Sequence, residues 1–208
     1  MHDLIIRDAK IVDGTGADAY SGDIAIDGST LTQVGGSAGP GKREITANGA
    51  MATPGWVDVH THYDGQVTWD PLVSPSSWHG VTSIVMGNCG VGFAPVRPTD
   101  HNMLIELMEG VEDIPGAALH EGVPWNWESF PEFMDALEAM PRAIDIATQV
   151  PHNPVRAYVM GEDAASERPS TPEERAEMAA IVASGLRAGA LGFTTSRTKF
   201  HRTSTGEH

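Results

Sequence analysis

Short apolar segments alternate with helical segments after Trp56, and this alternation limits the folds open to the chain more than any other feature. The strand-like segments read GWVDVH, VTSIVMG, IDIATQV, VRAYVMG and GALGFTT. Strands separated by helices usually pair in parallel, because the intervening helix returns the chain to the same end of the sheet. The sequence therefore predicts an α/β fold built from βα units.

Two of the segments between these strands carry helix signals. In SFPEFMDALEAM, the apolar residues Phe130, Phe133 and Leu137 recur at helical spacing. The segment TPEERAEMAAIVASGLRAG begins with Thr171, a residue type that caps helix N-termini, followed by Pro172 in the first turn. We predict a helix in each segment, with its apolar side chains packed into the core.

The residues before Met51 have a different pattern. LIIRDAKIV and KREITAN read as strands, and GDIAIDGSTLTQVG reads as two short strands joined by a turn at Asp27 and Gly28. Pro54 and Gly55 then mark a break before the first βα strand. We predict a small β module here.

Charge and composition exclude several classes of protein. Lys and Arg number 13 against 28 Asp and Glu, so the formal net charge is −15. Proteins that bind a phosphate backbone concentrate positive charge, and we therefore expect no nucleic-acid partner. The N-terminus lacks a basic segment followed by a long apolar stretch, and no window holds about 18 uninterrupted apolar residues. We expect a globular, cytoplasmic protein that does not associate with membranes.

Two histidines follow the first βα strand, in TPGWVDVHTHYDGQ. Side chains alternate along a strand, so His60 and His62 should project to one side of its end while Thr61 points elsewhere. Two imidazoles that converge in this way can share a metal ion. The spacing alone is also compatible with ordinary loop histidines.

Cys89, the single cysteine, follows the second strand in GVTSIVMGNCGVGFAPVRP. The glycines beside it let the backbone approach another group closely. Strand ends of this polarity carry the active sites of barrel enzymes. From the residues alone, Cys89 is a metal ligand, a nucleophile or a small buried apolar side chain.

Together, PGWVDVHTHYDGQ and HGVTSIVMGNCGVGFAP resemble the metal-dependent amidohydrolase superfamily, in particular its branch of N-acyl-D-amino-acid deacylases (D-aminoacylases). EGVPWNWESFPEFMDALE, VPHNPVRAYVMG and GALGFTTSRTKFHRTSTGEH extend the resemblance over nearly the whole chain. It implies a small β-sandwich portion in residues 1–52. For residues 53–208 it implies the N-terminal half of a (β/α)8 TIM-like barrel, incomplete at its C-terminus.

The resemblance also implies a metal centre. His60 and His62 match histidine ligands of the family, and Cys89 matches a thiolate that replaces the carboxylated lysine of many relatives. Asp64 matches a family position without an assigned role. Mixed nitrogen and sulfur ligation suits zinc, and we expect one or two zinc ions.

The reaction implied by the resemblance is hydrolysis of a linear N-acyl amide bond, with a small-molecule N-acyl-D-amino acid as substrate. In the family the catalytic aspartate follows the last barrel strand, which we expect beyond His208. The resemblance thus predicts that this chain is the N-terminal portion of a longer enzyme and is inactive alone. The sequence does not fix the oligomeric state.

Three further residues are candidates for substrate binding. His152 follows the third strand and either lines the pocket or is a loop histidine hydrogen-bonded to backbone. Arg197 and Lys199 follow the fourth strand, where a cation could meet a substrate carboxylate, although a solvated loop is the simpler interpretation.

Two other functions stay open. A cyclic-amide hydrolase or deaminase of the same superfamily would share His60 and His62, although Cys89 argues against most of these enzymes. The chain could also be a catalytically silent metal-binding module.

Overall fold

The computed structural model describes residues 1–112, 114–166 and 168–196. The chain divides into two compact units, Met1–Gly55 and Trp56–His208. Within the described residues, no helix is both long enough and apolar enough to cross a bilayer.

The first unit is a single sheet of five strands: β1 (His2–Ile11), β2 (Tyr20–Asp27), β3 (Thr30–Val34), β4 (Gly41–Thr46) and β5 (Met51–Ala52). The strand order is β3-β2-β1-β4, and β5 also pairs with β1. β2 is antiparallel to β1 and β3, whereas β4 and β5 run parallel to β1. The predicted hairpin is present, with Gly28 in the left-handed conformation that its tight turn requires. Ile5 and Ala25 are fully buried in this unit.

The second unit contains parallel strand pairs, as the alternating pattern predicts. β6 (Trp56–Asp58), β7 (Val81–Met86) and β8 (Asp145–Thr148) form a three-stranded sheet in that order. Both pairings in this sheet are parallel. A further parallel pair joins β9 (Val150–Pro151) to β10 (Phe193–Thr194). The turns that follow β6 and β7 therefore emerge at the same edge of the sheet.

One predicted strand is wrong. The segment VRAYVMG belongs to the helix α4, His152–Met160. Its apolar residues Val155, Ala157 and Met160 are buried in this helix, and Pro154 lies in the first turn, where no intrahelical N–H is required. A short apolar run can fit either structure, and periodicity alone does not distinguish a strand from a helix in this segment.

Both predicted helices are present and begin with reciprocal caps. In α3 (Phe130–Glu138), the Ser129 side chain accepts a hydrogen bond from the backbone of Glu132, whose carboxylate accepts one from Ser129. Thr171 and Glu174 form the same capping box at α5 (Pro172–Arg187). The structure adds two helices that the sequence interpretation missed, α1 (His101–Glu112) and α2 (Gly116–Gly122).

The main hydrophobic core lies between these strands and helices. Ile84 and Met86 of β7 are almost completely buried, as are the aromatic side chains of Phe130 and Phe133 from α3. Leu104, from α1, closes the same cluster. This packing fixes β7 firmly, and with β7 the start of the turn that carries Cys89.

Candidate metal centre

The first part of the site is the turn after β6, where His60 and His62 flank Thr61. We call these three residues the histidine turn. Thr61 is buried, and both its backbone N–H and its hydroxyl donate to the carbonyl of Val85, at 3.0 and 2.9 Å. The middle residue of the turn is thus tied to β7. The two imidazole rings lie 5.5 Å apart between centroids, with an angle of 59° between their planes.

The second part is the turn at residues 87–90, which follows β7 and which we call the cysteine turn. Cys89 adopts the left-handed conformation, with φ 55° and ψ 8°. A residue with a Cβ atom occupies this region at a cost of about 1–2 kcal/mol, so surrounding contacts must hold it there. This backbone conformation places the Sγ atom of Cys89 3.3 Å from Nε2 of His60.

The two turns bring three ligand atoms together. One nitrogen each from His60 and His62 and the sulfur of Cys89 all lie within 4.8 Å of one another. His60 is exposed, whereas His62 and Cys89 are partly buried. Two imidazole nitrogens and one thiolate at these separations fit the donor set of a zinc ion. Their assignment as metal ligands stays a prediction.

Asp64 supports the cysteine turn from below. Its carboxyl group is buried, and Oδ1 accepts a hydrogen bond of 2.9 Å from the backbone N–H of Gly87. Gly87 itself is left-handed, with φ 74°, and a Cβ atom there would lie 2.2 Å from the carbonyl oxygen of Gln149. The family resemblance left Asp64 without a role, and its contact assigns it to holding the turn.

Sequence interpretation missed Asn88, the residue before the cysteine. Its side chain is buried and contacts three separate parts of the chain. Nδ2 donates to the carbonyls of Thr61 and Val85, at 3.2 and 2.9 Å, and Oδ1 accepts from Nε2 of Gln149 at 2.9 Å. An amide next to a candidate ligand in a glycine-rich turn is the signal that could have identified it.

Thr194 closes the turn from the side of β10. Its hydroxyl accepts a hydrogen bond of 3.2 Å from the N–H of Gly90 and donates to the carbonyl of Gly87. Both ends of the cysteine turn therefore bind one side chain. Thr194 was also missed, since its position in β10 carries no local motif.

A family model described as the Amidohydrolase family matches residues 43–206, most of the chain. The chain belongs to the amidohydrolase family.

Relatives of this amidohydrolase confirm the resemblance to D-aminoacylases. N-acyl-D-aspartate deacylase of Alcaligenes xylosoxydans xylosoxydans is 32% identical over 194 residues, which cover 93% of this chain and 36% of that protein. The crystal structure of a D-aminoacylase superposes with a TM-score of 0.77 at 31% identity, over 94% of this chain and 38% of that one. N-acyl-D-glutamate deacylase of Bordetella bronchiseptica, complexed with zinc and a phosphonate inhibitor, gives 0.72 at 28% identity, over 93% of this chain and 38% of that one. The chain thus spans little more than a third of the length of these relatives.

Of the remaining candidates of this amidohydrolase, the structure describes only His152, which is not among the three clustered ligands. His152 begins α4, and its Nδ1 lies 3.0 Å from the hydroxyl of Thr195, with its ring packed edge-on against Phe193. It also lines a groove of about 560 Å³ between α4 and α5. Arg197 and Lys199 lie outside the described residues. Substrate binding by these three residues stays a prediction.

Proposed function

We propose that this chain belongs to a zinc-dependent hydrolase that cleaves the linear N-acyl amide bond of N-acyl-D-amino acids. The observation that carries the proposal is the convergence of His60, His62 and Cys89 at neighbouring strand ends. The similarity to deacylases of N-acyl-D-amino acids supports the substrate class. We keep the predicted cytoplasmic location as part of this proposal.

His60, His62 and Cys89 would hold the ion. When bound, zinc supplies a Lewis acid that polarises the amide carbonyl and lowers the pKa of a water molecule. The Cys89 thiolate contributes negative charge and soft ligation, and the two imidazoles complete a set that discriminates against hard cations such as magnesium. One similar structure concerns the binuclear metal centre of D-aminoacylase, which supports a site for one or two ions.

The proposed architecture places this centre at the mouth of a barrel. Residues 53–208 would form the first half of a (β/α)8 barrel, and residues 1–52 a β-sandwich portion. The parallel pairings of β6, β7 and β8 support this arrangement, as does the TM-score of 0.77 against a D-aminoacylase. Ligands at the C-terminal ends of strands are what such a barrel requires.

Amide hydrolysis also requires a carboxylate that carries a proton to the leaving amine. Asp64 is poorly suited to that task, because it is buried and Oδ1 is engaged by the N–H of Gly87. We therefore propose that an aspartate beyond His208 performs this step. His152, Arg197 and Lys199 are the proposed contacts to the small-molecule substrate.

The test uses the full-length protein with a panel of N-acetyl-D-amino acids, N-acetyl-L-amino acids and a cyclic hydantoin. We expect zinc-dependent release of acetate from the D series. Cys89→Ser should lower both bound zinc and activity, because a hydroxyl is a poorer zinc ligand than a thiolate. Ser29→Ala, in the exposed turn between β2 and β3, is the control and should change neither. Preferential opening of the hydantoin ring would instead establish the cyclic-amide alternative.

A further inference from the structure

The side chain of Asn88 links three strand ends at the candidate metal centre. It contacts the carbonyl of Thr61, which lies between His60 and His62, and the carbonyl of Val85 in β7. Its third partner is Gln149, directly after β8. One amide group therefore connects the histidine turn, the cysteine turn and the third strand.

The backbone around Asn88 needs this support. Both neighbours, Gly87 and Cys89, are left-handed, with φ values of 74° and 55°. Asp64 and Thr194 fix the two ends of the turn through the N–H groups of Gly87 and Gly90. Asp64 reaches the turn from the segment just after the histidines, and Thr194 reaches it from β10. Only the Asn88 amide, among the described contacts, joins the cysteine turn to the carbonyl between the two histidines.

We propose that Asn88 is a positioning residue that directs the Cys89 sulfur toward the two imidazoles. The proposal rests on the proposed function to the extent that the three ligands bind a metal. An unsupported turn would relax, because the left-handed conformation is unfavourable for cysteine. The sulfur would then leave the 3.3 Å separation from His60 Nε2 that the structure records.

The donor pattern distinguishes asparagine from its closest replacement. Nδ2 gives its two hydrogens to two carbonyl oxygens, and Oδ1 receives one from Gln149. Aspartate has the same shape but offers only acceptors when ionised, so one carboxylate oxygen would face the carbonyls of Thr61 and Val85. Residue 88 is only 6% exposed, so water cannot screen the repulsion between these oxygens. This repulsion should push the two turns apart.

The experiment measures metal ligation directly, in the full-length protein. Zinc affinity is obtained by competition with a chromophoric chelator. Cobalt(II) then replaces zinc, and the thiolate-to-cobalt charge-transfer absorption reports whether Cys89 is bound. We expect Asn88→Asp to weaken zinc binding by about 10- to 100-fold, the usual effect of losing a group that orients a ligand. It should also reduce the charge-transfer absorption per bound cobalt.

Two further variants make the result decisive. Asn102→Asp introduces the same charge change at an exposed position of α1, and should leave affinity and spectrum unchanged. Gln149→Met removes the donor to Oδ1 while keeping the amide of Asn88, and should weaken zinc binding by a smaller factor. If Asn88→Asp fails to fold, Gln149→Met decides the question.

The outcomes separate the positioning role from the proposed function. A wild-type protein with the thiolate-to-cobalt band, and variants at 88 and 149 with the same band and affinity, would overturn the role of Asn88 alone. A wild-type protein that binds cobalt without this band would overturn both the positioning role and the three-ligand site. Loss of band intensity in Asn88→Asp, with Asn102→Asp unchanged, supports the proposal.

Discussion

A polar network in the first unit and one in the second are built on opposite principles. In the first unit, the Arg7 guanidinium bridges the buried Asp23 at 2.8 Å and the exposed Glu44 at 2.7 Å. In the second unit, Asn88 joins three strand ends through a neutral, buried amide. The first network depends on charge and the second on the direction of individual hydrogen bonds.

The difference predicts different sensitivities. Exposed ion pairs contribute little and are screened by salt, because water replaces their partners easily. A buried amide that loses a partner leaves a polar atom without water, at a cost of about 1–3 kcal/mol. Substitutions around Asn88 should therefore be severe and insensitive to salt, whereas loss of the exposed Arg7–Glu44 pair should be mild and depend on pH and salt.

The largest effect is expected at Gly87. Gly87→Ala places a Cβ atom 2.2 Å from the carbonyl oxygen of Gln149 and forces alanine into φ 74°. We expect the free energy of unfolding to fall by about 3 kcal/mol or more, since overpacking and backbone strain add. Gly28→Ala is the matched control, because Gly28 is also left-handed but has no atom within 4 Å of its Cβ position. It should lose about 1 kcal/mol, as measured by urea denaturation followed by circular dichroism.

A loss of intermediate size is expected for Asn88→Ala, which removes the three hydrogen bonds of the amide. The free energy of unfolding should fall by about 2 kcal/mol, from the carbonyls and the Gln149 amide left behind. All five tryptophans of the chain lie after residue 55, so urea denaturation followed by tryptophan fluorescence reports on the second unit. The loss should be the same in low and high salt. A loss that shrinks with added salt would contradict the distinction between the two networks.

A smaller and opposite effect is expected at Cys89 in metal-free protein. Cys89→Gly removes the cost of the left-handed backbone, so it should be about 1 kcal/mol more stable than Cys89→Ala when both are measured in chelator. In the first unit, Asn48 also has a positive φ, of 51°. The gain in stability of Asn48→Gly over the wild-type protein should be smaller than that of Cys89→Gly over Cys89→Ala. Asparagine tolerates this conformation better than other residues with a Cβ atom. Equal stabilities of Cys89→Gly and Cys89→Ala would show that the left-handed backbone at Cys89 carries no cost.

The smallest effect is a pH dependence of the first unit. The hydrogen bond from Arg7 lowers the pKa of Glu44 to about 2, and the backbone N–H of Ala38, followed by Arg7, lowers the pKa of Asp23. A carboxyl group with a lowered folded-state pKa stabilises the fold above its unfolded pKa, and this contribution disappears as the pH falls through the folded value. Amide exchange in β1 and β4 should therefore become less protected, relative to the intrinsic rate, between about pH 4.5 and pH 2. In Glu44→Gln this change should be weaker, and equal changes in both proteins would rule out Glu44 as its source.

Much of the fold is predictable because its signals are local. The capping residues of α3 and α5 lie three positions from their partners, and the hairpin of β2 and β3 needs only its turn residues. The helix α4 was misassigned because its apolar run is too short for periodicity to decide. In α1, Leu104, Ile105 and Met108 are buried at helical spacing, a pattern that could have predicted the helix.

The candidate site is predictable only in part, for a related reason. His60, His62 and Cys89 were identified from the spacing of the histidines, the glycines around the cysteine and the family resemblance. Asn88 and Thr194 escaped, because their partners lie 61 and 104 residues away in the sequence. No pattern within one strand encodes a contact of that range. Substrate binding by Arg197 and Lys199 stays a prediction.

The same long-range contacts govern when the site can form. The histidine turn and the cysteine turn are made early in synthesis, but the N–H of Gly90 meets its partner Thr194 only after 104 further residues have been added. Contacts that close loops of this length form late, because the entropy of closure must be overcome before the contact contributes. During translation, the cysteine turn therefore lacks its contact with Thr194 while the helices α1, α3 and α5 are made. We therefore expect the cysteine turn to reach its final geometry only after β10 has been made, so that the candidate metal centre is completed late in the folding of the second unit.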